Sequence, residues 1–232
     1  MDKTRFLTFL RAHVFFLVLL FVGALLRFVF IQVQGLSHDE LSAWNRIGDF
    51  SFSEIFSKGV LPDMHPAFMQ VLLQYWTQVF GDSELSLRLP STLFGLSAIV
   101  LTYVLGIKHF GRNAALFASA MLLFPVLPII HSTLARPYAP GLFFIVLLIF
   151  AIFRLEDSRV RSKYLTSSLL IIIAASGSIY THYYAGLCAG LIGISALFYV
   201  KIRRWSFLII SGVIAVLLFL PHWSITQEHL SR

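Results

Sequence analysis

Two adjacent carboxylates, Asp39 and Glu40, follow an apolar block over residues 12–33. An acid just past the outer end of such a block faces water or a substrate held at a membrane surface, where its ionised form can take a proton from a hydroxyl or an amine. Ser37 precedes Glu40 by three residues, the spacing of a capping box, so Glu40 is either a helix cap or a second carboxylate of the site. Asp39 has no such local task, although an acid in a first turn also suits the helix dipole.

Arg136, within Ala135-Arg136-Pro137-Tyr138, opens a later apolar block. A guanidinium there can hold a phosphate through two parallel hydrogen bonds, and it equally suits a salt bridge to a loop acid. Arg27 lies inside the first block near its outer end, where a charge is costly unless it snorkels or finds a loop acid or lipid phosphate. Six of the eight histidines, His38, His65, His131, His182, His222 and His229, fall in the outer loops or at block ends on that side. None forms an i, i+4 pair of the HExxH kind, so no zinc site is expected. The chain has no Walker-type or dinucleotide glycine loop, no GxSxG elbow and no soluble nucleotide domain. The simplest route for a substrate to the outer face is a lipid carrier lying in the bilayer.

These residues need a membrane scaffold. Of 232 residues, 58% are hydrophobic and 12% charged, about half the charged share of a soluble domain. The apolar residues are grouped in blocks long enough to cross a bilayer, which sets aside disorder, nucleic-acid-binding modules and disulfide-stapled folds. The single cysteine, Cys188, lies within such a block and reads as packing. Seven blocks qualify as transmembrane helices: 12–33, 90–107, 114–131, 137–153, 165–180, 183–200 and 206–221. An eighth, 66–80, is short and amphipathic and reads as an interfacial helix.

With seven crossings, 12 of the 18 basic residues share the inner side, among them Lys3, Arg5, Arg11, Lys108, Arg112, Arg154 and Lys201, whereas eight of the 11 acids lie outside. The N-terminus is therefore expected in the cytoplasm, on an uncleaved anchor, and the C-terminus outside. The expected domain is single, 1–232, with one long outer (periplasmic) loop, 34–89. Ser37 with Glu40 and Ser51 with Glu54 mark two short helices in that loop, ahead of the interfacial one.

Taken in order, Arg27, Asp39-Glu40, His65-Pro66, Ser83-Glu84 with Leu87-Arg88-Leu89-Pro90-Ser91, Phe110-Gly111-Arg112 with Ala115-Leu116, Ala135-Arg136-Pro137-Tyr138 and Thr181-His182-Tyr183 extend over nearly the whole chain. This series resembles the membrane glycosyltransferases of the GT-C fold that use polyprenyl-phosphate sugars, a group that includes protein O-mannosyltransferases and the aminoarabinose transferase for lipid A. The resemblance implies an all-helical membrane enzyme in the bacterial inner membrane. It would transfer a sugar from a polyprenyl-phosphate donor to a lipid, glycan or protein acceptor. Asp39, with Glu40, would be the catalytic carboxylate pair and Asp39 the general base. Arg136, helped by Arg27 or Arg88, would stabilise the departing phosphate. His65, Tyr138, His182 and Tyr183 would line the donor pocket. No cofactor is required by this reading, and a divalent cation, Mg²⁺ or Mn²⁺, is left open.

Two departures qualify the resemblance. Many bacterial relatives carry Glu before Ala-Arg, where this chain has Leu134, which leaves either catalysis on Asp39 and Glu40 alone or an inactive chain. Relatives also continue past seven spans, so the chain corresponds to their shared N-terminal module, as a fragment, a short variant or a subunit whose partner supplies further helices. The rival of a different class is a noncatalytic subunit that binds the carrier or scaffolds an enzyme. A small-solute transporter fits less well, because the later blocks carry almost no intramembrane charge.

Overall fold

The computed structural model describes the backbone of residues 3–232 and the side chains from His13 onward. The basic side chains Lys3, Arg5 and Arg11, counted above on the inner side, lie outside the described residues. The chain is helical throughout, in the order α1 (Lys3–Val33), α2 (His38–Trp44), α3 (Phe52–Glu54), α4 (Phe68–Phe80), α5 (Glu84–His109), α6 (Arg112–Leu123), α7 (Val126–Thr133), α8 (Tyr138–Asp157), α9 (Arg161–Thr181), α10 (Tyr183–Tyr199), α11 (Trp205–Phe219) and α12 (Trp223–Ser231). Short 3₁₀ turns, Ile202–Arg204 and Leu220–His222, join α11 to its neighbours.

Among the described residues five helical stretches are long and apolar enough to cross a membrane, His13–Val33, Glu84–His109, Tyr138–Asp157, Arg161–Thr181 and Ile202–Ser231, and a sixth crossing is made if α6 and α7 count as one. The block 114–131 is not a straight span: α6 and α7 meet at 63°. Pro125 supplies no N–H and takes extended backbone (φ −63°, ψ 148°), so the helix stops at Leu123. The sixth block, 183–200, folds as α10, 17 residues, only about 25 Å long. The last block does not end at Pro221, because that proline sits at the start of a 3₁₀ turn, where it is tolerated, and helix continues to Ser231.

The spans pack through small residues. A side chain added at Gly106 of α5 would come within 2.8 Å of the Ala115 Cα on α6, and one at Gly95 within 2.6 Å of the Ser132 Cβ on α7. Such close backbone approach is how helices associate where lipid removes the hydrophobic driving force. One core joins α8, α9 and α11 through Leu148, Leu155, Ile171 and Leu208, and another joins α1 to α5 and α6 through Phe16, Tyr103 and Leu123. Outward-facing apolar side chains such as Phe21, Phe117, Leu169 and Phe198 remain exposed, a surface suited to lipid.

The long loop is built as expected at its first turn. Glu40 Oε2 accepts the Ser37 N–H at 2.9 Å and Ser37 Oγ accepts the Glu40 N–H at 3.3 Å. After α3 the chain winds through a wide π-helical stretch, Ile55–Val60, and a 3₁₀ turn, Leu61–Asp63. Helix α4 turns two of its three glutamines inward: Gln70 donates to the Arg46 carbonyl at 2.8 Å, and Gln74 pairs with both backbone groups of Gly48. Its apolar residues Tyr75, Val79 and Phe80 face outward.

Candidate functional site

Glu40 and Arg88 form a buried lock between the long loop and α5. Arg88 Nε and Nη2 donate to the two Glu40 oxygens at 2.8 and 2.9 Å, while Nη1 and Nη2 also donate to the carbonyls of Ile31, Gln34 and Gly35. Both residues are 1% exposed. The Ala135 N–H adds a third bond to Glu40 Oε1, at 2.9 Å. Burial pushes the Glu40 carboxyl up, but its bonds to Arg88, Ser37 and Ala135 and the Arg88 charge outweigh that and hold it below the ordinary glutamate range. Glu40 is committed to architecture, and Arg88 has no N–H left for a substrate phosphate. The two candidate roles given to this pair are corrected on that ground.

Arg27 has four of its five N–H groups bonded within the protein, one of them to the Gly23 carbonyl of its own helix. It neither snorkels nor meets a loop acid: Nη2 and Nη1 donate to the Leu122 and Leu123 carbonyls at 2.8 and 3.1 Å, and Nε to Ser132 Oγ at 2.7 Å. These carbonyls are the ones freed where Pro125 breaks the helix, so Arg27 caps α6 from α1.

Arg136 is placed differently. Its Nη1 donates to Asp63 Oδ1 at 3.0 Å and makes a long 3.5 Å contact with the main-chain oxygen of Asp39. Nη2 lies 3.0 Å from His65 Nδ1, and Nε–H is buried with no acceptor among the described residues. Asp63 is bonded also to Arg46. Burial raises the Asp63 carboxyl, while the His65 hydrogen bond and the Arg136 and Arg46 charges bring it below the usual aspartate range. His65 Nδ1 faces the Asp63 main-chain oxygen at 2.9 Å as well as the Arg136 Nη2 donor. One ring nitrogen can serve only one of these at a time.

The Asp39 side chain is exposed at the start of α2, and among the described residues it has no cationic partner. Its carboxylate is therefore uncommitted, while its main-chain oxygen is the part of Asp39 that lies near Arg136. His182 packs edge-on to His65, ring centroids 5.1 Å apart, and lies 6.0 Å from the Tyr138 ring. Tyr138 stands between two apolar cavities of about 440 and 590 Å³, the first reaching Arg27, His131 and Ser132, the second lined by His182, Tyr184 and Cys188. Tyr183 is not in this group: its hydroxyl donates to His229 Nδ1 at 2.8 Å, tying α10 to α12, and Tyr184 takes the cavity wall instead.

Asp63 and Tyr184 had not been singled out in the sequence. Asp63 is placed by Met64, whose left-handed backbone (φ 61°) turns the chain so that residues on either side reach Arg136. A loop acid two positions before His65-Pro66 was the only hint. Among the described residues no three His, Cys, Asp or Glu side chains converge to hold a metal ion. Glu40 and Asp63 are both bonded to arginines.

The assembled site offers one free carboxylate, two guanidinium groups on Asp63, Arg46 and Arg136, each with a buried Nε–H short of an acceptor, a cluster of rings and adjoining apolar cavities. Residues 64–225 match the family model described as dolichyl-phosphate-mannose-protein mannosyltransferase. No curated protein and no solved structure matches the chain. The match takes in His65, Arg136, Tyr138 and His182, while Asp39 precedes it.

Proposed function

Because the chain belongs to the dolichyl-phosphate-mannose-protein mannosyltransferase family, we propose that it transfers a sugar from a polyprenyl-phosphate donor to an acceptor hydroxyl or amine at the outer face of the membrane. Asp39 takes the acceptor proton as the acceptor atom attacks the anomeric carbon. The bond from that carbon to the phosphate oxygen breaks, its electron pair leaves with the polyprenyl phosphate, and the anomeric configuration inverts. Arg136 stabilises the charge that develops on the phosphate. The prenyl chain lies in the apolar cavities beside Tyr138. The chain works in a bacterial inner membrane, with its N-terminus in the cytoplasm.

The observation that carries this reading is the geometry of Arg136. Its guanidinium lies beside the Asp39 backbone, held by Asp63, with a buried Nε–H that no protein oxygen accepts. A phosphate oxygen would complete it.

Purified protein in lipid nanodiscs, given a radiolabelled polyprenyl-phosphate sugar and a cell-envelope extract as acceptor, tests the proposal. Asp39→Asn should retain donor binding and lose transfer by about 10²-fold or more. Arg136→Ala should raise the KM for the donor by about tenfold or more and leave acceptor use nearly unchanged. Transfer retained in Asp39→Asn would end the base assignment. Equal loss for both substrates in Arg136→Ala would end the phosphate assignment. Leu134 favours the second reading, a carrier-binding subunit without turnover, because it puts no carboxylate before Ala135-Arg136; donor bound but unchanged by the wild type would establish it.

A further inference from the structure

His182 sits at the junction of α9 and α10, with extended backbone (φ −156°, ψ 136°), and caps the first turn of α10. Its Nδ1 accepts the backbone N–H of Tyr184 at 3.2 Å. A backbone amide can only donate, so Nδ1 is the unprotonated nitrogen and the proton of the neutral ring resides on Nε2. Burial, then the neighbouring His65 and the Arg136 charge, push the ring below the ordinary histidine range, which keeps it neutral at physiological pH. The ring is clamped by Tyr184, stacked at 5.5 Å and 24°, and by the edge of His65. Among the described residues the Tyr184 N–H is the one hydrogen-bond partner of the ring, which leaves Nε2 unbonded, and the ring forms part of the wall of the 590 Å³ cavity.

Resting on the lipid-phosphate reading above, we infer that His182 is a fixed-tautomer hydrogen-bond donor, its Nε2–H directed to the phosphate oxygen that leaves the anomeric carbon. Its contribution grows as that oxygen gains charge on cleavage of the carbon–oxygen bond. No proton is transferred: the acceptor proton goes to Asp39, the electron pair goes to the phosphate, and His182 retains its hydrogen throughout. A neutral donor complements Arg136, because a second full positive charge next to that guanidinium would be disfavoured.

Two near-isosteres separate this role from a purely structural cap. Asn at 182 keeps an oxygen in the place of Nδ1, and Asn is a favoured N-cap, but it has nothing in the place of Nε2. Gln places an amide N–H near Nε2 and is a poor cap. In nanodiscs, transfer is measured together with the affinity for polyprenyl phosphate, the charge-developed leaving group, which is followed by its ³¹P shift. His182→Asn should stay folded, bind polyprenyl phosphate about tenfold more weakly and lose kcat by about 10²-fold. His182→Gln should recover at least part of both, and the wild-type ³¹P shift with them. The reverse order, Asn at wild-type level and Gln impaired, would overturn the inference and leave His182 as a cap. If the wild type shows no transfer, the glycosyltransferase reading fails, and the affinity order of Asn and Gln still decides whether Nε2 meets the phosphate.

Discussion

At Asp63 two guanidinium groups and an imidazole converge on one buried carboxylate. Removing one partner of such a cluster leaves the others desolvated, so Asp63→Asn should destabilise the protein by about 3–5 kcal/mol, read as a lower thermal midpoint in detergent. Glu40→Gln should cost a similar amount, about 3–5 kcal/mol. Asp39→Asn, by contrast, should leave the midpoint unchanged, because the Asp39 side chain is exposed and unpaired. The pH dependence has a definite sign. Asp63 and Glu40 both titrate below their ordinary values of 3.8 and 4.5. Their stabilisation is thus fully present above those values and is lost as pH falls through the lower folded ones. Melting curves should therefore be flat between about pH 7 and 8, decline gradually below about pH 6.5 as the neutral ring of His182 is titrated in the unfolded chain, and fall steeply below about pH 4 as Asp63 and Glu40 lose their charge; a steep loss already complete near pH 6 would point to the histidines alone. Asp39 and Arg136 could be picked out from sequence by residue type and flanking pattern. Asp63 could not, since its position depends on a left-handed turn at Met64 that residue spacing does not reveal.

Helices decide which of the charged residues are free to act. The capping box of α2 was legible because its chemistry is local, Ser37 to Glu40. What the box could not show was that the same carboxylate reaches Arg88 and Ala135, 48 and 95 residues away along the chain. Pro125 was equally visible, yet the unbroken hydropathy of 114–131 concealed the bend, and with it the reason for Arg27. Arg27→Met would leave the Leu122 and Leu123 carbonyls without a partner in an apolar surrounding. It should lower stability by about 3 kcal/mol, on the order of one to two charge-assisted hydrogen bonds. Donor affinity in the surviving folded fraction should stay within about twofold, because Arg27 is committed to the helix break and not to phosphate. A tenfold loss of donor affinity at unchanged thermal stability would restore Arg27 to the site. Tyr183 and Tyr184 teach a related lesson: adjacent helical residues point about 100° apart, and only the tertiary contact with His229 shows which of the two turns away from the cavity.

Across the whole molecule the two ends have different chemistry. One carries Asp39, Asp63, His65, Arg136 and His182; the other pairs Glu156 with Arg204 and Lys201, and Asp157 with Lys108. Helical class and membrane habit were legible from block lengths and charge content, and the sidedness expected from the basic residues would put the site outside. Reporter fusions should read outer at Gly81 and inner at Lys163; an inner signal at Gly81 would put the site among cytosolic nucleotides and remove the need for a lipid carrier. The most direct measurement is made on lipids extracted from cells lacking the gene and from the same cells complemented with the wild type or with Asp39→Asn. Expected is a polyprenyl-phosphate sugar that accumulates without the gene, disappears with the wild type and persists with Asp39→Asn at equal membrane abundance. Lipid profiles that are the same in all three strains, or clearance by Asp39→Asn as complete as by the wild type, would contradict sugar transfer at this site.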